Sequence, residues 1–103
     1  MTVTTQDVLQ AVELVTGVCQ PEIKSDSRCR ASRRARLLVY FVSNQCFNES
    51  QSEVARVMGK SQSTVNNVMT RLLSETVLDP ELVDRVEATA ELIAASRQLS
   101  EAA

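Results

Sequence analysis

The chain has 103 residues, 44% of them hydrophobic but only three aromatic, with two Gly, two Pro, three Cys and no His. That suffices for one domain with a modest core, and offers too few turn residues for a many-stranded β fold. The net charge of −2 hides a division into −3 over residues 1–23, +6 over 24–71 and −5 over 72–103, so an acidic total does not exclude a nucleic-acid partner.

The spacing predicts a first helix over 5–16, opened by Thr4 or Thr5 and closed by Gly17, with Val8, Leu9, Val12 and Val15 on one face. Residues 18–31 read as a loop with one short turn around Pro21 to Ile23. A second helix is expected from Ser32 to about Cys46, where Ala35, Leu38, Val39, Val42 and Cys46 form an apolar stripe. Its first turn would hold Arg33, Arg34 and Arg36, cations at the positive end of the helix dipole. That placement costs stability unless an anion binds there.

Residues 51–68, QSEVARVMGKSQSTVNNV, have the spacing of a helix-turn-helix. Ala55 falls where two helices approach and Gly59 where the turn needs no side chain. Val54, Met58, Val65 and Val68 fall at the apolar contacts. Ser50 and Glu53 form a capping box for the first of these helices. Ser61 caps the second, over 61–74, with Val65, Val68, Met69, Leu72 and Leu73 turned inward. Its outward positions, Gln62, Ser63, Asn66, Asn67, Thr70 and Arg71, carry no acid. A merely solvated face usually mixes Glu with Lys. Gln and Asn can bond adenine bidentately, and a Thr methyl such as that of Thr64 can meet thymine's.

The last helix is expected over 79–99, with Asp79 as N-cap and Pro80 in the first turn. It bears two apolar seams, Leu82, Val86, Ala90 and Ile93 beside Ala88, Leu92, Ala95 and Leu99. One closes the core; the other is left for the first helix or for a partner. Residues 100–103 are expected to fray.

The second functional signal is Arg28, Arg30, Arg33, Arg34 and Arg36, five arginines in nine residues. With Lys60 and Arg71 they offer roughly five to seven phosphate or groove contacts and a steep salt dependence. Several alternatives fall away. Gly59-Lys60-Ser61 resembles the end of a phosphate-binding loop, but Val54 stands where a glycine is required. Asn48-Glu49-Ser50 fits a glycosylation sequon in a chain with no secretory leader, and no apolar run approaches the ~20 residues of a membrane span. A cytoplasmic, nucleoid-associated protein is expected. Cys19, Cys29 and Cys46 suit no zinc site and are expected as reduced thiols, two of them interior. No catalytic constellation, metal, cofactor or small-molecule substrate is expected.

The layout resembles the C-terminal DNA-binding domain of the bacterial replication initiator DnaA, in the Trp-repressor-like helix-turn-helix group. The resemblance spans nearly the whole chain. It rests on Arg34-Ala35-Arg36 followed by apolar residues, on Ser50-Gln51-Ser52-Glu53-Val54, and on Gly59-Lys60-Ser61-Gln62-Ser63-Thr64-Val65. It implies that Arg28 enters the minor groove, Arg36 and Lys60 contact the backbone, and Gln62, Ser63 and Thr64 meet base edges. The family's Asp-His pair stands here as Ser61-Gln62, which implies a different base preference. The initiator's ATPase domain has no counterpart in these residues.

The expectation is thus a single all-α domain of five to six helices, 1–103, with a basic loop at 24–36, a helix-turn-helix at about 50–74 and an acidic C-terminal helix at 79–99. Its expected partner is double-stranded DNA, contacted by Arg28, Arg30, Arg33, Arg34, Arg36, Lys60, Ser61, Gln62, Ser63, Thr64, Asn66, Asn67 and Arg71. A small transcriptional or replication regulator fits, of the kind a phage or mobile element would carry. The alternative is a protein-interaction module, or a self-associating one, that uses the acidic C-terminal helix.

Overall fold

The computed structural model of the chain describes residues 2–75 and 78–102, the side chains at 72–75 and 102 excepted. The described residues form an all-α domain with no strand among them. The helices are α1 (Thr5–Thr16), α2 (Gln20–Lys24), α3 (Arg30–Phe41), α4 (Gln51–Met58), α5 (Gln62–Glu75) and α6 (Pro80–Ala102). A widened π-type turn, Val42–Cys46, extends α3.

Local chemistry starts and stops most of these helices. Thr4 and Asp7 bond each other's backbone amides at the head of α1, and Gly17, at φ 79°, takes the left-handed position that ends it. Asp79 accepts the Glu81 amide at 3.0 Å ahead of α6, and Pro80 follows where its missing N–H is harmless. Ser50 accepts the Glu53 amide at 3.1 Å. The return half of that expected box is absent among the described contacts, because the Glu53 carboxylate pairs with Arg56 one turn on.

The second helix departs from expectation at both ends. It begins at Arg30, two residues before Ser32, so its first turn holds Arg30 and Arg33 while Arg34 and Arg36 lie in the next. Ser32 is not its cap. The Ser32 hydroxyl is buried and donates to Glu22 at 2.8 Å, while Ser25 and Ser27 accept amides two residues on and lead the chain to Cys29. At the other end the α stretch stops at Phe41 and the wider turn follows. There the Ser43 carbonyl accepts the Glu49 amide, and the Asn44 side chain donates to the Glu49 carbonyl at 2.9 Å. These bonds reverse the chain through Asn48, a non-glycine residue at φ 57°, where Asn is among the tolerated types. Glu49 also accepts the Thr5 amide at 2.9 Å, tying the start of α4 to the start of α1.

The core gathers Val8, Leu9 and Val12 of α1, Ile23 of α2, Ala35, Leu38, Val39 and Tyr40 of α3, Val54, Ala55 and Met58 of α4, Val65 and Met69 of α5, and Val86, Ala90 and Ala94 of α6. Val68 is half-buried against it. The inward positions expected for Leu72 and Leu73 lie outside the described side chains. α6 packs along α1 in opposite directions, so that Arg97 near its end meets Asp7 near the start of α1 at 3.1 Å. The helix is continuous to Ala102, where fraying from residue 100 was expected, and Arg97 pairs with Glu101 within that last turn. No helix among the described residues is long and apolar enough to cross a membrane.

The thiols also differ from expectation. Cys19 and Cys29 are exposed and Cys46 is half-buried, so none is a core residue. Cys19 and Cys29 each immediately precede a helix, where the side chain points out of the bundle.

Candidate nucleic-acid interface

Four of the five clustered arginines are available to a ligand. Arg28, Arg30, Arg33 and Arg34 are exposed and together line an open cleft of about 930 Å³. Its other walls are Leu37 of α3 and Leu78, Asp79, Pro80 and Leu82 at the entry to α6. Opposite the arginines the cleft is therefore mostly apolar. A smaller hollow of about 370 Å³ lies among Asp26, Ser27, Arg28, Arg33 and Arg36. The guanidinium groups of one loop and one helix start thus share a continuous surface, with Asp26 and Asp79 as its acids.

Arg36 stands apart from that group. Its Nε donates to the Ile23 carbonyl at 3.0 Å, and its terminal nitrogen donates to the Ser27 carbonyl at 3.2 Å. Arginine suits this task because its planar fork spans two acceptors at once. The residue expected on a DNA backbone instead fixes the path of the loop that carries Arg28. Glu22 supports the same loop from below, its carboxyl held under the usual range mainly by the Ser32 hydroxyl.

Lys60 likewise has a partner within the chain. Gly59, at φ 67°, turns the chain after α4 and gives its amide to Ala55 and Arg56. The Lys60 amide then bonds the Ala55 carbonyl at 2.9 Å, and its ammonium bonds the Asp26 carboxylate. That bond is the main cause holding the Asp26 carboxyl below the ordinary carboxylate range. It also joins two separate stretches of sequence. The basic loop is fastened to the turn that launches α5.

The first turn of α5 is organised by its own hydroxyls. Ser61 accepts the Thr64 amide at 3.1 Å, as expected of a cap, and its hydroxyl lies 2.8 Å from that of Thr64. Gln62 accepts from Ser52 of α4 at 3.0 Å, which leaves its amide NH₂ facing solvent. Ser63, Asn66, Asn67 and Arg71 are exposed along the same helix, on the side away from buried Val65 and Met69. Neutral donors and acceptors on a helix of about 20 Å, joined to the arginine loop through the Lys60–Asp26 bond, are what a major-groove reader presents.

Four residues of this surface were not assigned their place in it from sequence. Asp26 is the sole acid between Glu22 and Glu49, which marked it as a partner for some cation without saying which. Leu78, Pro80 and Leu82 had no signal, since only the fold brings the α6 entry against α3. Among the described residues no cluster of His, Cys, Asp or Glu is arranged to hold a metal ion. No known protein family and no curated protein matches this chain.

Proposed function

We infer that this chain binds double-stranded DNA, reading base edges in the major groove with the exposed face of α5 and anchoring on phosphates through Arg28, Arg30, Arg33 and Arg34. The observation that carries this reading is the Lys60–Asp26 bond, which fastens the arginine loop to the turn preceding Gln62, Ser63 and Thr64. Phosphate contacts alone give affinity without sequence preference, and polar base contacts alone give little affinity. Adjacency supplies both. A small regulator of transcription or replication is the use that fits.

With Arg36 and Lys60 engaged inside the protein, the four exposed arginines of the cleft give about four phosphate contacts, a salt slope near −4. Selection from random duplexes, followed by titration of the selected duplex against a scrambled one, tests the reading. Gln62→Ala and Asn67→Ala are expected to narrow the gap between the two duplexes by about tenfold while leaving the salt slope unchanged. Equal, salt-insensitive affinity for every duplex overturns it, and so does tight binding to a protein with none to DNA.

A further inference from the structure

Helix α6 has two apolar faces and the fold covers one. Val86, Ala90 and Ala94 are buried, whereas Leu92 and Leu99 keep 72% and 73% of their exposure. Ala88 beside them is exposed and Ala95 half-buried. Arg85, Ala88, Leu92, Ala95 and Leu99 recur in steps of three and four, the spacing of a two-helix seam. We propose that this seam pairs with the same seam of a second copy of the chain, the two α6 helices running antiparallel about a two-fold axis near residues 93–94.

Size and charge select this occupant. In the antiparallel register each Leu92 lies beside Ala95 of the second copy and each Leu99 beside Ala88, so large side chains meet small ones. The alanines let the axes approach to about 8 Å, at the close end of helix packing. A parallel pair would instead stack Arg85 on Arg85 in one layer. Reversal removes that clash and brings each Arg85 to the last turn of the opposite helix. Glu101 lies in that turn, shared there with Arg97 of its own helix, and the helix dipole adds partial negative charge. Along the flanks Glu91 faces Gln98 and Thr89 faces Ser96, so no like charges oppose one another. The seam needs nothing but a rotated copy of itself, as a two-fold interface requires. It covers about 22 Å of each helix, a contact of modest size suited to reversible pairing.

Sedimentation equilibrium on the full chain, from about 5 μM to about 1 mM under reducing conditions, measures this directly. A reversible monomer–dimer equilibrium is expected. Leu92→Glu, which changes an exposed position and leaves the helical circular dichroism intact, raises the dissociation constant by about 100-fold. Leu99→Lys does the same and guards against any folding defect in the first variant. Arg85→Glu weakens the dimer, and combining it with Glu101→Arg recovers it. A chain that stays monomeric throughout, whether this face is idle or reserved for a different protein, overturns the proposal. A dimer indifferent to both leucine variants overturns it as well.

Discussion

Lys60 and Asp26 form an uneven pair: the lysine side chain keeps 15% of its exposure while the aspartate keeps 96%. The ammonium is tucked under the loop and the carboxylate sits at the surface above it. Any polyanion approaching the arginines must therefore also approach Asp26. Asp26→Asn removes that repulsion while keeping a side-chain oxygen that accepts from Lys60, and is expected to raise duplex affinity roughly 3- to 10-fold at low salt, the gain fading as salt screens it. Lys60→Ala is expected to lower affinity by loosening the loop from α5. Binding isotherms at two ionic strengths check both, and an unchanged or weaker Asp26→Asn complex sinks the account.

Arg28 and Arg36 carry the same charge and lie eight residues apart, yet they are expected to respond differently. Arg28→Ala with Arg33→Ala should flatten the salt slope by about two while leaving thermal stability nearly unchanged. Arg36→Ala removes two charge-assisted bonds to backbone carbonyls and should lower Tm by roughly 5–10 °C. Arg36→Lys cannot span both carbonyls and should recover little of that loss. Melting curves beside salt titrations separate the two roles.

Asp7 is buried under Arg97. Burial alone would raise its carboxyl pKa, but bonds from Arg97 and Thr4 outweigh that and leave it below the ordinary 3.8. A carboxyl depressed in the folded state adds stability above the unfolded value, and that stability drains away as the pH falls through the folded one. Asp7→Asn should therefore cost on the order of 1–2 kcal/mol at pH 7, a Tm loss of roughly 5–15 °C. The gap from wild type should shrink as the pH falls below the ordinary carboxylate range. Denaturation curves across that range give the test; a gap independent of pH removes Asp7 as its source.

The thiols should react in a fixed order. Amides of Ser32 and Ala31 point at the Cys29 sulfur from the start of α3 and lower its pKa. Burial, with Glu87 nearby, pushes the Cys46 thiol up to about 11. Since the thiolate is the reacting form, alkylation near neutral pH should mark Cys29 readily and spare Cys46 in the folded chain. Mass mapping of partially labelled protein reads this out, and early loss of the Cys46 thiol contradicts it.

What could be read in advance was what depends on neighbours in sequence. Thr4, Gly17, Ser50, Ser61, Asp79 and Pro80 act within one turn of themselves, and each does at its helix end what its chemistry suggests. Apolar spacing likewise placed Val8, Leu9, Val12, Leu38, Val39, Val65 and Met69 in the core. Ser32 misled because Glu22, ten residues away, takes its hydroxyl. The widened turn after Phe41 had no Gly or Pro to announce it. Nor could sequence divide the arginines, since whether a guanidinium meets solvent or a carbonyl depends on the route of residues 23–27. The cysteines were judged by type, which favours interiors on average; their places just ahead of α2 and α3 decided otherwise.

Arg97 and Gln98 both reach the carbonyl of Thr2, and Arg97 grips Asp7 from 90 positions away. The two ends of the described chain therefore meet at one pole. A short Gly-Ser bridge between them, with new termini opened at Gly17, would make α6 and α1 successive arms of one hairpin. Such a circular permutant keeps every one of these contacts but turns the most distant into a near neighbour. The contacts of α1 with α2, α3 and α4 become distant in exchange, so the permutant should fold at a rate close to the parent's and unfold at a similar temperature.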